Sequence, residues 1–524
     1  MSRSRLAAVT LAVVLTSVTA LPAQQVAPAG LDAFVAQVMQ RFEVPGLALT
    51  IVKDGRVVLA RGYGVRELGK PALVDSQTTF GIASNTKAFT ATALGMLVEA
   101  GKLKWDAPVV RYLPAFALSD PYVTSQLTVR DLLVHRSGLG LGAGDLLWWP
   151  TSTYTRQEVM QRLRYIPLAT SFRSAYAYDN VLYLVAGELI QAVSGKSWED
   201  FVQSRIIAPL RMTDAKVNTS AAGATGNVAM THAPVDGVVR PVAPFTSNNT
   251  NPAGGINASA RDMAKWLIVQ LDSGRTGDST TRVFTAQTTR QLWSMVTPMP
   301  IGTGGLAQLR PNFLGYALGF NVRDYRGHKF VTHTGGLPGY LSMVSLIPDM
   351  KLGVSVLTNQ ESGAAFQAIS YWILDQYLHA TDVDWVARIA PPPANTPKPP
   401  PEQPIGPPRD SLSRPSLSLA GYACRYTDAW YGDVTVMLER GKLVLRMVPT
   451  PGLVGDLEHW QHDTFVARWR DREMRADAYV TFALNPDGSI DQVKMRKFLE
   501  STDFSFDFQD LLLKRQNPNV ACER

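Results

Sequence analysis

Residues Gly46 to Val65, GLALTIVKDGRVVLARGYGV, carry β-branched residues in alternating or continuous runs on either side of Asp54-Gly55, the pattern of a β-hairpin. A short amphipathic helix, Leu31 to Phe42, precedes it. In the stretch Gly81 to Leu103, Phe89, Ala93, Leu97 and Val98 recur at helical spacing and Gly101 supplies a stop, which predicts a buried helix. From about Trp105 to Pro300 the pattern turns mostly helical with long loops. LTVRDLLVHRSGLG reads there as a short helix capped by Thr128, and Asn180 to Val193 as another. Strand signals return in ALGFNVRDYRGHKFVTHTGG and YLSMVSLIPDMKLGVSVLTN, with turns at Asp324 to Gly327 and Asp349 to Gly353, and a helix from Ala364 to His379 follows. Strands at both ends with helices between predict an α/β fold. One antiparallel sheet drawn from both ends is flanked by helices, and an inserted helical subdomain leaves a cleft at the junction.

Ala390 to Pro415, APPPANTPKPPPEQPIGPPRDSLSRP, is too rich in proline for a packed element and reads as a semi-rigid extended spacer. Beyond it, Val434, Val436 and Leu438 alternate before an Arg440-Gly441 turn, Leu443, Leu445 and Met447 alternate after it, and Asn485 to Gly488 marks a further hairpin. A small β-barrel or sandwich fits, with no catalytic constellation in it. At the other end, Arg3 and Arg5 precede an apolar run from Leu6 to Val18 and small residues at Ala20 and Ala23, the form of a cleavable secretory signal. The expected division is a signal peptide at 1–23, a first domain at 30–388, a proline-rich linker at 389–415 and a β-rich domain at 416–524. No later apolar run is long enough to cross a bilayer, so the expectation is a secreted or periplasmic protein with no membrane span after signal cleavage.

At 524 residues and 46% hydrophobic content, the chain has the makings of two or more globular domains. Its formal charge of +7 is scattered, which argues against nucleic-acid binding. Cys424 and Cys522 are the only cysteines, and they read equally well as a disulfide closing the last segment or as two separate thiols. Neither a metal cluster nor a catalytic cysteine is suggested.

Ser84 and Lys87 stand three apart at the start of the buried helix. Residues at that spacing share a face, and the helix N-terminus adds partial positive charge where an oxyanion would form. A serine hydroxyl needs a neighbour that takes its proton as it attacks, and Lys87 is one candidate. Tyr178 and Asn180, two apart in an extended segment, point the same way. The phenol can act as base toward the serine, and the carboxamide can donate to a substrate carbonyl and accept from Lys87. On a strand, His333 and Thr334 can hydrogen-bond an acidic or carbonyl group of a substrate. Gly335 lets a substrate approach the strand edge, and the Gly336 amide can join that of Ser84 as an oxyanion hole.

The order Ser84-x-x-Lys87, Tyr178-x-Asn180, His333-Thr334-Gly335 resembles the serine β-lactamase and penicillin-binding protein superfamily. The branch is that of class C β-lactamases, D-alanyl-D-alanine carboxypeptidases, D-aminopeptidases and related esterases. The resemblance spans about Leu31 to His379 and includes LTVRDLLVHRSGL, PAGGINASARDMAKWL and HTGGLPGY. It implies the β-lactamase/transpeptidase-like fold and acyl transfer from a small-molecule or peptide substrate through Ser84, without cofactor or metal. Lys87 and Tyr178 manage protons, Asn180 positions substrate, and the amides of Ser84 and Gly336 hold the oxyanion. Which of Lys87 and Tyr178 is the base stays open. D-amino-acid peptides, β-lactams and small esters are the substrate classes, cell-wall peptidoglycan is a partner the resemblance admits, and a penicillin-binding or peptidoglycan-sensing protein that acylates without useful turnover is the alternative. Many β-lactamases carry lysine where His333 stands, so histidine lowers the expectation of efficient β-lactam hydrolysis. The tail also resembles a β-rich accessory domain found in this branch. No G-x-S-x-G nucleophile elbow occurs, and His135 reads as a structural histidine at a helix end. Trp148 and Trp149 read either as lining an aromatic substrate pocket or as subdomain core.

Overall fold

The computed structural model describes residues 26–224, 226–278, 281–302, 309–380, 382–389 and 402–516. The signal segment, most of the proline-rich stretch and Cys522 lie outside them.

The elements that position the site are, in order, α1 (Leu31–Arg41), β1 (Gly46–Lys53), β2 (Arg56–Gly64), α2 (Thr86–Glu99), α3 (Val181–Ser194), α4 (Ala260–Leu271), β3 (Thr297–Pro298), β4 (Leu314–Tyr316), β5 (Asn321–Tyr325), β6 (His328–Leu337), β7 (Tyr340–Ile347), β8 (Leu352–Thr358) and α5 (Gly363–Tyr377). Asp54 and Gly55, both at positive φ, turn β1 into β2. The strands form one antiparallel sheet in the order β2-β1-β8-β7-β6-β5-β4-β3, with Leu47 opposite Thr358 and Lys53 opposite Leu352 where the two ends of the domain meet. Strand alternation divides the core. Leu47, Leu49 and Ile51 of β1 face α1 and α5, where Val35, Val38, Ile369 and Ile373 are buried. Ala48 and Val52 face the other layer, with Leu267 and Leu271 of α4. Covered on both sides, β1 needs apolar residues at nearly every position, and it has them.

Helices fill the space between β2 and β3, as the patterning predicts. Helix α2 is buried on nearly all its faces, stacking Phe89 on Trp266 of α4 at 3.6 Å, and α3 packs against it. One predicted helix is not formed: the LTVRDLLVH segment holds only a 3₁₀ turn at Asp131–Leu133. The buried Asp131 carboxylate gathers the Thr128 amide at 3.0 Å, its hydroxyl at 2.7 Å, Arg136 at 2.8 Å and Arg173 at 2.5 Å. Side-chain bonds therefore fix this segment in place of a helical ladder.

The C-terminal strands β9 (Cys424–Asp428), β10 (Gly432–Glu439), β11 (Lys442–Met447), β12 (Val454–Gln461), β13 (Thr464–Trp469), β14 (Ala478–Leu484), β15 (Ile490–Lys497) and β16 (Lys514–Arg515) form a sheet in the order β15-β14-β13-β12-β11-β10-β9-β16. A bridge from Leu513 to Val493 of β15 nearly closes it, so the module is a barrel. Val434, Val436, Leu443, Leu445 and Met447 point inward as their alternation predicts; Leu438, at the hairpin end, is exposed. Residues 402–416 run along the barrel wall, with Ile405 N–H donating to Phe498 O and Arg409 to the carbonyls of His459 and Trp460. The described part of the expected linker is thus packed on the barrel.

The barrel docks on the first domain through polar contacts as well as apolar ones. Tyr154 Oη donates to Tyr431 O at 2.6 Å, Arg162 to Trp430 O at 2.9 Å, and Arg475 pairs with Glu361 at 2.7 Å. Its 503–508 segment reaches further, onto the 142–149 loop of the helical subdomain.

Candidate active site

Ser84 lies in the 3₁₀ turn Ala83–Asn85 that leads into α2. The turn is tied to the sheet because Ser342 Oγ of β7 donates to Ile82 O at 2.7 Å and accepts from Asn85 Nδ2 at 2.8 Å. Ala83 sits at φ 49°, a left-handed conformation that an L residue holds only when its surroundings fix it. The helix N-terminus and the edge of β6 thereby meet at the serine.

Lys87 is fully buried, and its Nζ donates to Ser84 Oγ at 3.0 Å, Asn180 Oδ1 at 2.7 Å and Ala253 O at 3.2 Å. The Tyr178 hydroxyl lies 3.0 Å from the same Ser84 oxygen. Four of the residues singled out in the sequence therefore converge: Ser84 at the centre, Lys87 and Tyr178 on it, and Asn180 holding the amine. Asn180 directs its oxygen to Lys87 because its Nδ2 donates to Asp145 Oδ2 at 2.9 Å.

Gly335 shows why β6 carries glycine beside the turn. A Cβ there would stand 2.3 Å from Ile82 O and 2.9 Å from the Ser84 amide nitrogen, a separation real side chains do not adopt. Thr334 and Gly336 lie on the open side of the strand, whereas His333 is turned inward. The Thr334 carbonyl can only accept, so His333 Nδ1, 2.5 Å from it, carries the ring proton, and Nε2 accepts from the Tyr316 hydroxyl at 2.7 Å. Both nitrogens are engaged within the protein. Burial, reinforced by Lys87, pushes the imidazole down to about 3, so the ring is neutral at physiological pH.

Burial dominates the other titrations as well. It pushes Lys87 down to about 7, against the pull of Asp145 and Asp179. It holds the Tyr178 phenol well above its ordinary range. Of the two candidate bases, the amine is the one brought within reach of its neutral form at physiological pH. Asp145 and Asp179 are each raised to about 7, again by burial. His135 is buried among Tyr176, Tyr178, Tyr183 and Tyr316, with Nδ1 accepting from the Asp179 amide at 3.2 Å. It supports the ring of Tyr178 at 4.3 Å and does not touch the serine. Trp148 is buried and donates to Asp145 Oδ1 at 2.8 Å, and Trp149 packs on Phe245 and Phe506. Both belong to the core under the site.

Sequence reasoning missed Asp145, Tyr316 and the barrel residues Phe504, Ser505 and Asp507. A lone carboxylate in the apolar run LGAGDLLWW was a signal for the first. The aromatic–polar alternation FSFDF was a signal for the barrel residues. Among the described residues no group of three or more His, Cys, Asp or Glu side chains is arranged to hold a metal ion.

The family model described as Beta-lactamase matches residues 31–378, and one described as a domain of unknown function, DUF3471, matches residues 408–515. The unguisins hydrolase ungD of Aspergillus violaceofuscus is 29% identical over 487 residues, covering 87% of this chain and 85% of its own. Protein flp of Staphylococcus aureus is 26% identical over 339 residues, 63% of each chain. Among solved structures, the octameric penicillin-binding protein homologue from Pyrococcus abyssi superposes with a TM-score of 0.58 at 23% identity, covering 92% of this chain and 99% of its own. The D-amino acid amidase from Ochrobactrum anthropi SV3 does so at 0.54 and 22%, covering 67% and 98%. These structural likenesses concern the fold. With the family match spanning most of the first domain, the chain belongs to the beta-lactamase family and is a serine hydrolase, with a barrel attached at its C-terminal side.

Proposed function

We propose that this protein is exported and hydrolyses an amide or ester bond through an acyl-enzyme on Ser84, acting on acyl donors that carry no carboxylate, such as D-amino-acid amides, C-terminally blocked D-peptides and small esters, in preference to β-lactams. The observation that carries the reading is the pair of 3.0 Å contacts on Ser84 Oγ, one from a buried amine near neutrality and one from a protonated phenol. As Ser84 Oγ bonds to the substrate carbonyl carbon, its proton passes to the neutral Lys87 amine. The amides of Ser84 and Gly336 hold the oxyanion. When the tetrahedral adduct collapses, the leaving amine or alkoxide takes its proton from the Lys87–Tyr178 pair. Water then attacks the acyl group with the same pair accepting its proton, and the second adduct breaks at the Ser84 Oγ–carbon bond as the pair returns that proton to Oγ, releasing the acid. Asn180 keeps the amine aimed at the serine, because Asp145 fixes the orientation of its carboxamide. The neutral, inward-turned His333 offers no cation for a substrate carboxylate, which is why β-lactams rank below donors that carry no carboxylate. A relative named as a hydrolase matches over most of the chain and supports turnover.

The test is intact mass after mixing with benzylpenicillin, p-nitrophenyl acetate and D-alanine p-nitroanilide, beside Ser84→Ala. A Ser84-dependent acyl adduct with release of nitrophenol or nitroaniline is the expected result. A long-lived penicillin adduct without turnover of the other two would replace this reading with the acyl-trap one. No Ser84-dependent reaction with any of the three would overturn both.

A further inference from the structure

The barrel segment 503–508 is packed into the wall of the Ser84 site. Phe504 and Tyr178 meet in a T-shaped pair, with centroids 6.1 Å apart and the rings at 88°, and Tyr178 is the residue whose hydroxyl touches Ser84. Phe504 is nevertheless 41% exposed, and so is the neighbouring Leu141, at 53%. A large aromatic side chain set against the ring of Tyr178, with two-fifths of its surface open to solvent, offers an apolar face beside the Ser84 site.

The segment is fixed there by bonds that leave its backbone little freedom. The Asp507 carboxylate accepts from the Gly144 amide at 2.6 Å and the Leu146 amide at 3.1 Å, and all of these groups are buried. Ser505 Oγ donates to Asp145 Oδ2 at 2.8 Å, the same oxygen that holds Asn180. Phe506 packs on Trp149, and Gly142, at φ 71°, lies so close that a Cβ there would stand 2.7 Å from Phe504 O. The barrel thus reaches the catalytic serine by two routes: directly through Phe504 and Tyr178, and through Ser505, Asp145, Asn180 and Lys87.

We infer that Phe504, contributed by the C-terminal barrel, forms the apolar wall of the subsite for the acyl side chain, so that the enzyme selects acyl donors carrying an aromatic or other bulky apolar side chain. This rests on the acyl-transfer reading above and adds the substrate class to it. A ring laid against Phe504 removes apolar surface from water on both partners, whereas an acetyl group reaches no such surface.

The experiment compares kcat/KM for p-nitrophenyl phenylacetate and p-nitrophenyl acetate in the full-length protein, Phe504→Ala and Phe504→Leu. In parallel, Kd is measured for benzylboronic and methylboronic acids, which bond the serine oxygen without turnover. The expected result is an aromatic preference of about tenfold or more in the wild type, lost in Phe504→Ala and largely kept in Phe504→Leu, in both rates and affinities. Equal preference in wild type and Phe504→Ala, or both substrates falling by one common factor, would overturn the inference. Absence of ester turnover would count against the hydrolytic function alone. The boronic acids then decide: a Phe504-dependent preference for the benzyl compound supports the wall, and no preference or no binding overturns it.

Discussion

Asp145→Asn tests the electrostatics of the site with little change of shape. The carboxylate lies one amide group beyond the Lys87 amine, 2.7 Å from Nζ to Asn180 Oδ1 and 2.9 Å from Asn180 Nδ2 to Asp145 Oδ2, so the two charges are about 7 Å apart once the width of the amide is included. At an effective dielectric of about 20 that separation gives roughly 2 kcal/mol of attraction, on the order of one to two pH units on the titration of the amine. Asp145 itself titrates at about 7 and carries only part of a charge near neutrality, so the expected effect is the smaller figure. The sign follows from the charge. Asp145 holds the Lys87 proton on, and its neutral replacement lets the proton go earlier. The acidic limb of kcat/KM against pH, expected near 7 in the wild type, should therefore move to lower pH by about one unit. The plateau should also drop, since the new amide cannot accept from Trp148, Asn180 and Ser505 together, and one poorly satisfied buried donor costs about 1–3 kcal/mol. The assay is kcat/KM for p-nitrophenyl acetate between about pH 5 and 9. A limb that stays in place or moves upward would refute the assignment of Lys87 as the group whose deprotonation limits the rate.

Tyr178→Phe should lower kcat by about 10²-fold or more in the same assay while leaving the melting temperature near the wild-type value, because the ring keeps its contacts with His135 and Phe504. Gly335→Ala drives a Cβ to 2.3 Å from Ile82 O and should cost both several degrees of melting temperature and most of the Ser84-dependent acylation read by intact mass. For Lys87→Met the readout is stability against pH. The folded wild type sheds this proton at about 7 and the unfolded chain near 10.5, so between those values the unfolded state binds more protons and wild-type stability from this group rises with pH. From pH 7 to 9.5 that rise is roughly 3 kcal/mol, and Lys87→Met should lack it; equal pH slopes by denaturant unfolding would show that the amine is not held neutral.

What the sequence shows of this protein divides by range. The β1–β2 hairpin, α2 and the strand pair around His333 are legible because each is written in a window of ten to twenty residues: β-branched runs around Asp54-Gly55, apolar residues at helical spacing closed by Gly101, alternation broken at Gly327. Ser84, Lys87, Tyr178 and Asn180 are legible for a related reason, since each pair fixes its own geometry by local spacing and only the meeting of the pairs needs the fold. His333 marks the limit of that reasoning. Its place on the strand follows from the sequence, but its Nε2 partner, the Tyr316 hydroxyl 17 positions away on β4, and the burial that decides the charge state of the ring come from the fold.

The barrel is the longer-range case. Proline density at 390–415 suggests a tethered module, in which no catalytic constellation is legible, yet Ser505 bonds Asp145 across a separation of 360 residues and Asp507 bonds Gly144 across 363. No periodicity or spacing in either segment encodes that meeting. What the segments do contain is a physical mismatch when each is taken alone: Asp145 in the apolar run LGAGDLLWW and Asp507 between two phenylalanines are carboxylates in surroundings that cannot solvate them. Each satisfies the other's neighbourhood, Asp507 accepting from the backbone beside Asp145 and Ser505 donating to Asp145 itself. A buried carboxylate whose partners come from another domain ties the integrity of the site to the docking of that domain. Displacing the barrel would leave the Gly144 and Leu146 amides without their acceptor and Asp145 without one of its donors, and Asp145 is the group that orients Asn180 toward Lys87.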